Sequence, residues 1–135
     1  MFQHQTNDIR VCYADTDQMG YVYYGNYARF YEISRVEALR SLGLSYREME
    51  EAGTMMPVYE NYSRYLQPAR YDDLLTIKVT VAELPAARIV FKYEIHNQNQ
   101  DLLNTGETTL IFLNRKTNRP TRVPAALLER LKPFF

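Results

Sequence analysis

The stretch from Tyr27 to Leu42 constrains this chain more than any other. Its positions Tyr27, Phe30, Tyr31, Ser34, Ala38 and Leu42 recur three and four apart, and Ile33, Val36 and Leu39 widen the stripe beyond that of an ordinary surface helix. Such a helix is expected to be buried on most sides, so the remaining residues must be able to wrap it. Leu42-Gly43-Leu44 reads as its stop, with Gly43 suited to a left-handed C-terminal position. A short second helix follows. Ser45 and Glu48 match a capping box, Leu44 and Met49 are placed as a hydrophobic staple, and Gly53 ends it.

After Gly53 the periodicity changes to that of strands. Met56–Gln67 comes first, with apolar residues on both faces: Val58, Tyr62 and Leu66 against Tyr59 and Tyr65. That pattern predicts a strand covered on both sides. The turn Gln67–Asp73 leads to Leu75, Ile77, Val79 and Val81, and Leu84–Ala87 leads to Ile89, Phe91, Tyr93 and Ile95. Asn97–Asp101 turns the chain again into Leu103–Leu113, where Gly106 marks a bulge or a close backbone approach. Asn114–Arg122 is a basic polar loop, and Pro124 suits the first position of a short terminal helix carrying Leu127, Leu128 and Leu131. At the other end, residues 7–15 contain Ile9-Arg10-Val11-Cys12-Tyr13-Ala14 and are rich in strand formers. The residues before them, His4 included, read as a frayed end. These elements describe an antiparallel sheet curled around one helix, with the sheet's outer face expected to pack on another copy of the chain.

At 135 residues the chain fits one domain, residues 1–135. Sixteen Lys and Arg balance sixteen Asp and Glu, so no overall field draws it to nucleic acid or an anionic membrane. The single cysteine, Cys12, cannot form an internal disulfide, and Met1–Asp8 lacks the basic start and apolar centre of a signal peptide. A cytoplasmic location is expected. No apolar run approaches the roughly 18 residues of a membrane span.

Chemistry is expected where the first strand leads into the long helix, at Asp15-Thr16-Asp17-Gln18-Met19-Gly20-Tyr21-Val22-Tyr23-Tyr24-Gly25-Asn26-Tyr27. A carboxylate at a strand end, followed closely by the free N–H groups of a helix N-terminus, supplies a base or nucleophile and an oxyanion donor. Asp17 in Asp-x-x-Gly is equally suited to a plain turn, and Asp15 to bonding loop N–H groups. Asp15-Thr16-Asp17 also matches a D-x-D metal motif, but the alternating strands and helices that usually carry it are missing. The chain has only two histidines, His4 and His96, both remote from this loop in sequence. No zinc spacing and no Ser-His-Asp or Cys-His apparatus is recognisable. Twelve tyrosines without a tryptophan are the compositional bias. Tyr21, Tyr23, Tyr24 and Tyr27 stand close enough to Asp17 to line a pocket.

These residues resemble the hotdog-fold acyl-CoA thioesterases of the 4-hydroxybenzoyl-CoA thioesterase type, in particular the bacterial short acyl-CoA branch. The resemblance rests on Tyr13-x-Asp15-x-Asp17-x-x-Gly20-x-Val22-Tyr23, on Asn26-Tyr27 and on Phe30-Tyr31-Glu32-x-x-Arg35. Asp73-x-Leu75, Leu102-Leu103 and Arg119-Pro120-x-Arg122-Val123-Pro124 extend it across nearly the whole chain. It implies an α+β hotdog fold, a five-stranded antiparallel sheet wrapped around a long central helix. It also implies hydrolysis of an acyl-CoA to the free acid and coenzyme A, with no metal or other cofactor.

Asp17 is implied as general base or nucleophile, and the backbone N–H of Tyr24 as oxyanion donor. Tyr24 stands where relatives with short-chain activity often carry His, and Asn26 is the better N-cap by residue type, which could shift the donor by a residue or two. Gly20, Tyr23 and Tyr27 are expected to contact substrate, and Arg64, Arg88 and Arg119 to approach coenzyme A phosphates. The resemblance further implies a homo-oligomer, a dimer or homotetramer, with sites between subunits and with Asp17 and the helix N-terminus coming from opposite chains. The competing readings are a non-catalytic acyl-CoA-binding protein and a hotdog thioesterase acting on acyl-carrier protein.

Overall fold

The structure, a computed structural model, describes residues 1–135. Its strands are β1 (Phe2–Arg10), β2 (Thr54–Met55), β3 (Val58–Tyr65), β4 (Leu74–Val81), β5 (Arg88–His96), β6 (Leu102–Ile111) and β7 (Leu113–Asn114). Its helices are α1 (Tyr27–Ser41), α2 (Tyr46–Glu51) and α3 (Ala125–Leu131). Five strands form one antiparallel sheet in the order β1-β4-β5-β6-β3, while β2 and β7 pair separately. The strict alternation of β4 and β5 puts Leu75, Ile77, Val79 and Val81 beside Ile89, Phe91, Tyr93 and Ile95 on the inner face, all buried. Helix α1 lies against that face and buries Tyr27, Phe30, Tyr31, Ser34, Arg35, Ala38 and Leu39. This is the hotdog arrangement, a sheet wrapped around one helix.

Helix α1 ends as expected. Gly43 has φ +78°, the Leu44 N–H reaches the Leu39 carbonyl at 3.0 Å and the Gly43 N–H reaches that of Arg40 at 2.9 Å. That is a Schellman turn. The Ser45 hydroxyl then accepts the Glu48 N–H at 3.1 Å, and Leu44 and Met49 are both buried around it.

Several expectations are corrected. Helix α1 is not buried on most sides: Ala28, Arg29, Glu32 and Arg40 are exposed, and Ile33 and Val36 only half-buried, because a single sheet covers a single side. The first strand is Phe2–Arg10 rather than residues 7–15. Phe2-Gln3-His4-Gln5-Thr6 has weak strand propensity but pairs with β4, so tertiary pairing overrides composition there. A register shift between Thr6 and Ile9, with Asp8 at φ +62°, breaks the alternation that would have revealed it.

Strand β3 is an edge strand, and all of its residues but Ser63 are exposed, so neither face is covered within the chain. The outer face of the sheet is polar: Lys78 pairs with Glu94 and Lys92 with Glu107 in register, which removes the reason for expecting an apolar outer face. Pro124 stands one residue before α3, at the N-cap rather than the first helical position.

Gly106 is a close approach and not a bulge. A Cβ there would fall 2.2 Å from the Tyr31 hydroxyl. Tyr31 stacks on Tyr93 with ring centroids 4.0 Å apart and shares its hydroxyl with Ser63 at 2.6 Å and with the side-chain oxygen Oδ1 of Asn104. One turn on, the buried Arg35 guanidinium donates to the Tyr93 hydroxyl at 2.9 Å and the Tyr46 hydroxyl at 3.3 Å. Together these bonds tie α1 to β3, β5 and β6.

Candidate active site

The chain leaves β1 at Arg10 and makes a 3-10 turn, Tyr13–Asp15, before the segment that carries Asp17. Thr16 and Val22 face each other across an isolated bridge, and the Asp17 N–H donates to the Tyr21 carbonyl at 2.8 Å. The segment is therefore a narrow loop that doubles back. Gly20, at φ +79°, supplies the left-handed residue the reversal needs, and its N–H donates to the Asp17 carbonyl at 3.0 Å.

The doubling back brings the start of the helix alongside Asp17. A second 3-10 turn, Tyr24–Asn26, runs without a break into α1, so the helical run begins at Tyr24 with Tyr23 extended before it. The Asn26 N–H donates to the Tyr23 carbonyl at 2.9 Å, whereas the N–H groups of Tyr24 and Gly25 make no hydrogen bond within the chain. They are the orphan donors of a helix start, carrying its partial positive charge. Asn26 is not the cap its residue type suggested: its own backbone is helical, at φ −81° and ψ −14°, and its side chain bonds no helical N–H.

Asp17 is half-buried. Its Oδ1 accepts the Met19 N–H at 2.9 Å and the Tyr21 N–H at 3.3 Å, while Oδ2 accepts no hydrogen bond. One oxygen thus orients the carboxylate and the other keeps its lone pairs. Asp17, Met19, Tyr21, Val22, Tyr24 and Tyr27 line a cavity of about 270 Å³, closed by Tyr65, Leu66, Gln67 and Pro68 at the end of β3. Tyr27 meets Tyr65 edge to face, with centroids 5.2 Å apart. Burial raises the Tyr27 phenol above its ordinary value, against a hydrogen bond with the Ala69 backbone, so it stands there as a neutral hydroxyl.

Asp17 is the only charged side chain in this lining. A carboxylate with a free oxygen, unpaired backbone donors nearby and apolar walls can activate water or attack a carbonyl while holding the resulting oxyanion. A larger concavity of about 700 Å³ lies elsewhere, on the outer face of the sheet, among Arg64, Lys78, Lys92, Glu94 and Glu107. It offers no nucleophile beside a helix N-terminus, and the chemistry favours the smaller cavity.

Of the residues singled out in the sequence, the structure brings Asp17, Tyr21, Tyr24 and Tyr27 into one cavity of one chain. The doubled-back loop sets Asp17 and the helix start side by side within one chain. Gly20 shapes the loop, and Tyr23, outside the cavity lining, leans on Tyr24 at 4.8 Å. The three arginines are not in the lining. Arg64 precedes Tyr65 and so points to the opposite face of the sheet. Arg88 opens β5 at the end of the sheet remote from Asp17, eight residues or roughly 27 Å along the strand from His96. Arg119 lies beside β7, its carbonyl accepting the Asn114 N–H at 2.8 Å. Sequence reasoning missed Met19, Tyr65, Leu66, Gln67 and Pro68, and it missed Arg70, whose guanidinium lies 4.9 Å over the Tyr21 ring. The residues from 65 to 70 reach the site only through the sheet topology, and no local signal marks them.

Asp15, which stands in neither reactive role, is a junction. It is 6% exposed, its Oδ2 accepts the Cys12 N–H at 2.9 Å, and its Oδ1 is bonded by Arg29 of α1. Its carbonyl accepts the Tyr23 N–H at 2.9 Å and the Asn26 side-chain amide at 2.8 Å. Both oxygens of the carboxylate are thereby engaged, and nowhere do three His, Cys, Asp or Glu side chains converge.

Residues 11–131 match the model of the thioesterase-like superfamily. The acyl-CoA thioester hydrolase YbgC of Escherichia coli is 31% identical over 124 residues, covering 92% of each chain. The putative acyl-CoA thioesterase YneP of Bacillus subtilis is 29% identical over 113 residues, covering 84% of this chain and 82% of the relative. Among solved structures, a DHNA-CoA thioesterase from Staphylococcus aureus superposes with a TM-score of 0.85 at 35% identity, over 100% of this chain and 85% of its own.

Proposed function

The chain belongs to the thioesterase-like superfamily and is a hotdog-fold thioester hydrolase, and from that premise we propose that it hydrolyses an acyl-CoA at the Asp17 cavity. The observation that carries the assignment is the Asp17 carboxylate, oriented through Oδ1 and free at Oδ2, in the same apolar cavity as the start of the helix at Tyr24. In the proposed reaction Asp17 activates water or attacks the thioester carbonyl, and the Tyr24 N–H, with that of Gly25 beside it, holds the developing oxyanion. The coenzyme A thiolate is a good leaving group, so one carboxylate and an oxyanion site suffice without histidine.

The acyl group is proposed to be neutral and apolar. Asp17 is the only charge in the lining, and it would repel an acyl chain ending in a carboxylate. Tyr23, Gly20, Arg64, Arg88 and Arg119 are retained as proposed contacts to the remainder of the substrate, the three arginines only across a boundary between two copies of the chain. The assay is thiol release from a panel of aliphatic, aromatic and dicarboxylic acyl-CoAs, with an acyl-carrier-protein thioester alongside. Hydrolysis of neutral acyl-CoAs is expected. Tight binding without thiol release, or release only from the carrier protein, would sink the proposal. No metal has a part in it, so turnover is expected to survive prolonged chelation; activity lost to chelator and restored by a divalent cation would count against Asp17 acting alone.

A further inference from the structure

Four hydrogen bonds converge on Asp15, and they come from two sides. The Cys12 N–H belongs to the arm that leads into the Asp17 loop, whereas Arg29, the Tyr23 N–H and the Asn26 amide all belong to the start of the helix. Tyr23 and Asn26 bracket Tyr24 and Gly25, the two residues whose N–H groups are free. Asp15 is two residues from Asp17, and its carbonyl lies on the arm of the doubled-back loop that Thr16 bridges to Val22. The spacing between the carboxylate and the oxyanion donors therefore runs through Asp15.

We propose that Asn26 and Arg29 are positioning residues for the hydrolysis proposed above: through the Asp15 carbonyl and carboxylate they hold the Asp17 loop at a fixed distance from the N–H groups of Tyr24 and Gly25. Asn26 does this as a donor. Its amide nitrogen reaches back across the loop at 2.8 Å, and an oxygen at that position could not bond a carbonyl. Arg29 does it from the next turn of α1, bonded to a carboxylate that has only 8% of its side chain exposed. Misplacement of a reacting group by about 1 Å costs about 100-fold in rate, so loosening this clasp lowers turnover and leaves substrate binding in the cavity nearly unchanged.

The experiment compares wild-type protein with Asn26→Leu, Asn26→Asp, Arg29→Ala and Arg29→Lys on one acyl-CoA, measuring kcat and KM separately and following unfolding by circular dichroism. Leu keeps the approximate size and removes the donor; Asp keeps the shape, removes the donor and is as good an N-cap by residue type. Both Asn26 variants are expected to lose about 10- to 100-fold in kcat with KM changed less than about threefold, while remaining folded at the assay temperature. Arg29→Ala is expected to fall in the same way, and Arg29→Lys, which keeps a charged donor, to recover part of the loss. Asn26→Leu with more than half of wild-type kcat overturns the inference. So does Asn26→Asp equal to wild type, which would make Asn26 a helix cap, and so does a loss that tracks unfolding or appears in KM alone. Wild-type protein that hydrolyses no acyl-CoA overturns the functional reading itself, which separates the two failures.

Discussion

Asp17 shows how much one side chain owes to its neighbours. Two backbone N–H groups of its own loop hold Oδ1 and leave Oδ2 uncommitted, so the reactivity proposed for it rests on orientation as much as on residue type. Asp17→Asn keeps the shape and loses basicity and nucleophilicity. Turnover is expected to fall by about 10²–10⁴ with no change in the unfolding midpoint, and a variant keeping more than a tenth of wild-type turnover would remove Asp17 from the mechanism. Gly106 is the opposite kind of residue, one whose value lies in having no side chain. A Cβ 2.2 Å from the Tyr31 hydroxyl has to displace the phenol from Ser63 and Asn104. Gly106→Ala is therefore expected to destabilise the protein by about 1–3 kcal/mol. Urea unfolding measures it, and an unchanged midpoint would mean that α1 can move aside at no cost.

At the scale of elements, α1 is held to the sheet by polar contacts set among apolar ones. Burial pushes the Tyr31 phenol up to about 12, although its hydrogen bonds with Ser63 and Asn104 pull the other way. In the unfolded chain the same phenol titrates near 10. Its folded value is the higher, so its contribution to stability is fully present below about pH 10 and is lost as pH rises through about 12. Wild type is expected to be more stable than Tyr31→Phe at neutral pH, because removing the hydroxyl leaves Asn104 short of a partner. That margin should narrow between about pH 10 and 12. Urea midpoints of both proteins across the range provide the check, and curves that fall in parallel would show that Tyr31 does not govern the alkaline loss. The other local features are simpler. The Schellman turn at Gly43 and the cap at Ser45 are set by residues next to each other in the chain, and both were legible in the sequence.

The whole molecule leaves both edge strands of its sheet, β1 and β3, with a single neighbour each. Strand β3 pairs only with β6, and Val58, Tyr59, Tyr62, Tyr65 and Leu66 are each about half exposed or more. An unpaired edge of that composition is a site for another strand. Since Tyr65 and Leu66 also wall the Asp17 cavity, a second copy seated there would complete the site. Homo-oligomerisation through β3 is accordingly proposed. The double variant Tyr59→Lys, Tyr62→Lys changes only exposed positions and is expected to shift sedimentation to the monomer and to lower turnover together. A wild-type protein that sediments as a monomer at micromolar concentration, or a fully active monomeric variant, would refute it.

By itself the sequence determined what depends on neighbours along the chain. The heptad-like stripe of α1, the alternation of β4 and β5, the turn and cap residues, and a carboxylate a few residues ahead of a helix start are all local patterns, so they could be read without coordinates. Tertiary structure decided the rest. Strand β1 exists because Phe2–Thr6 finds β4, some seventy residues away, and not because Gln3, His4 and Gln5 favour strands. The closure of the cavity by Tyr65–Pro68 depends on β3 lying at the sheet edge, and the role of Asn26 on a carbonyl eleven residues back. Propensity and periodicity act over a few residues, whereas these contacts are chosen by the global pairing of strands, which no short window of sequence contains.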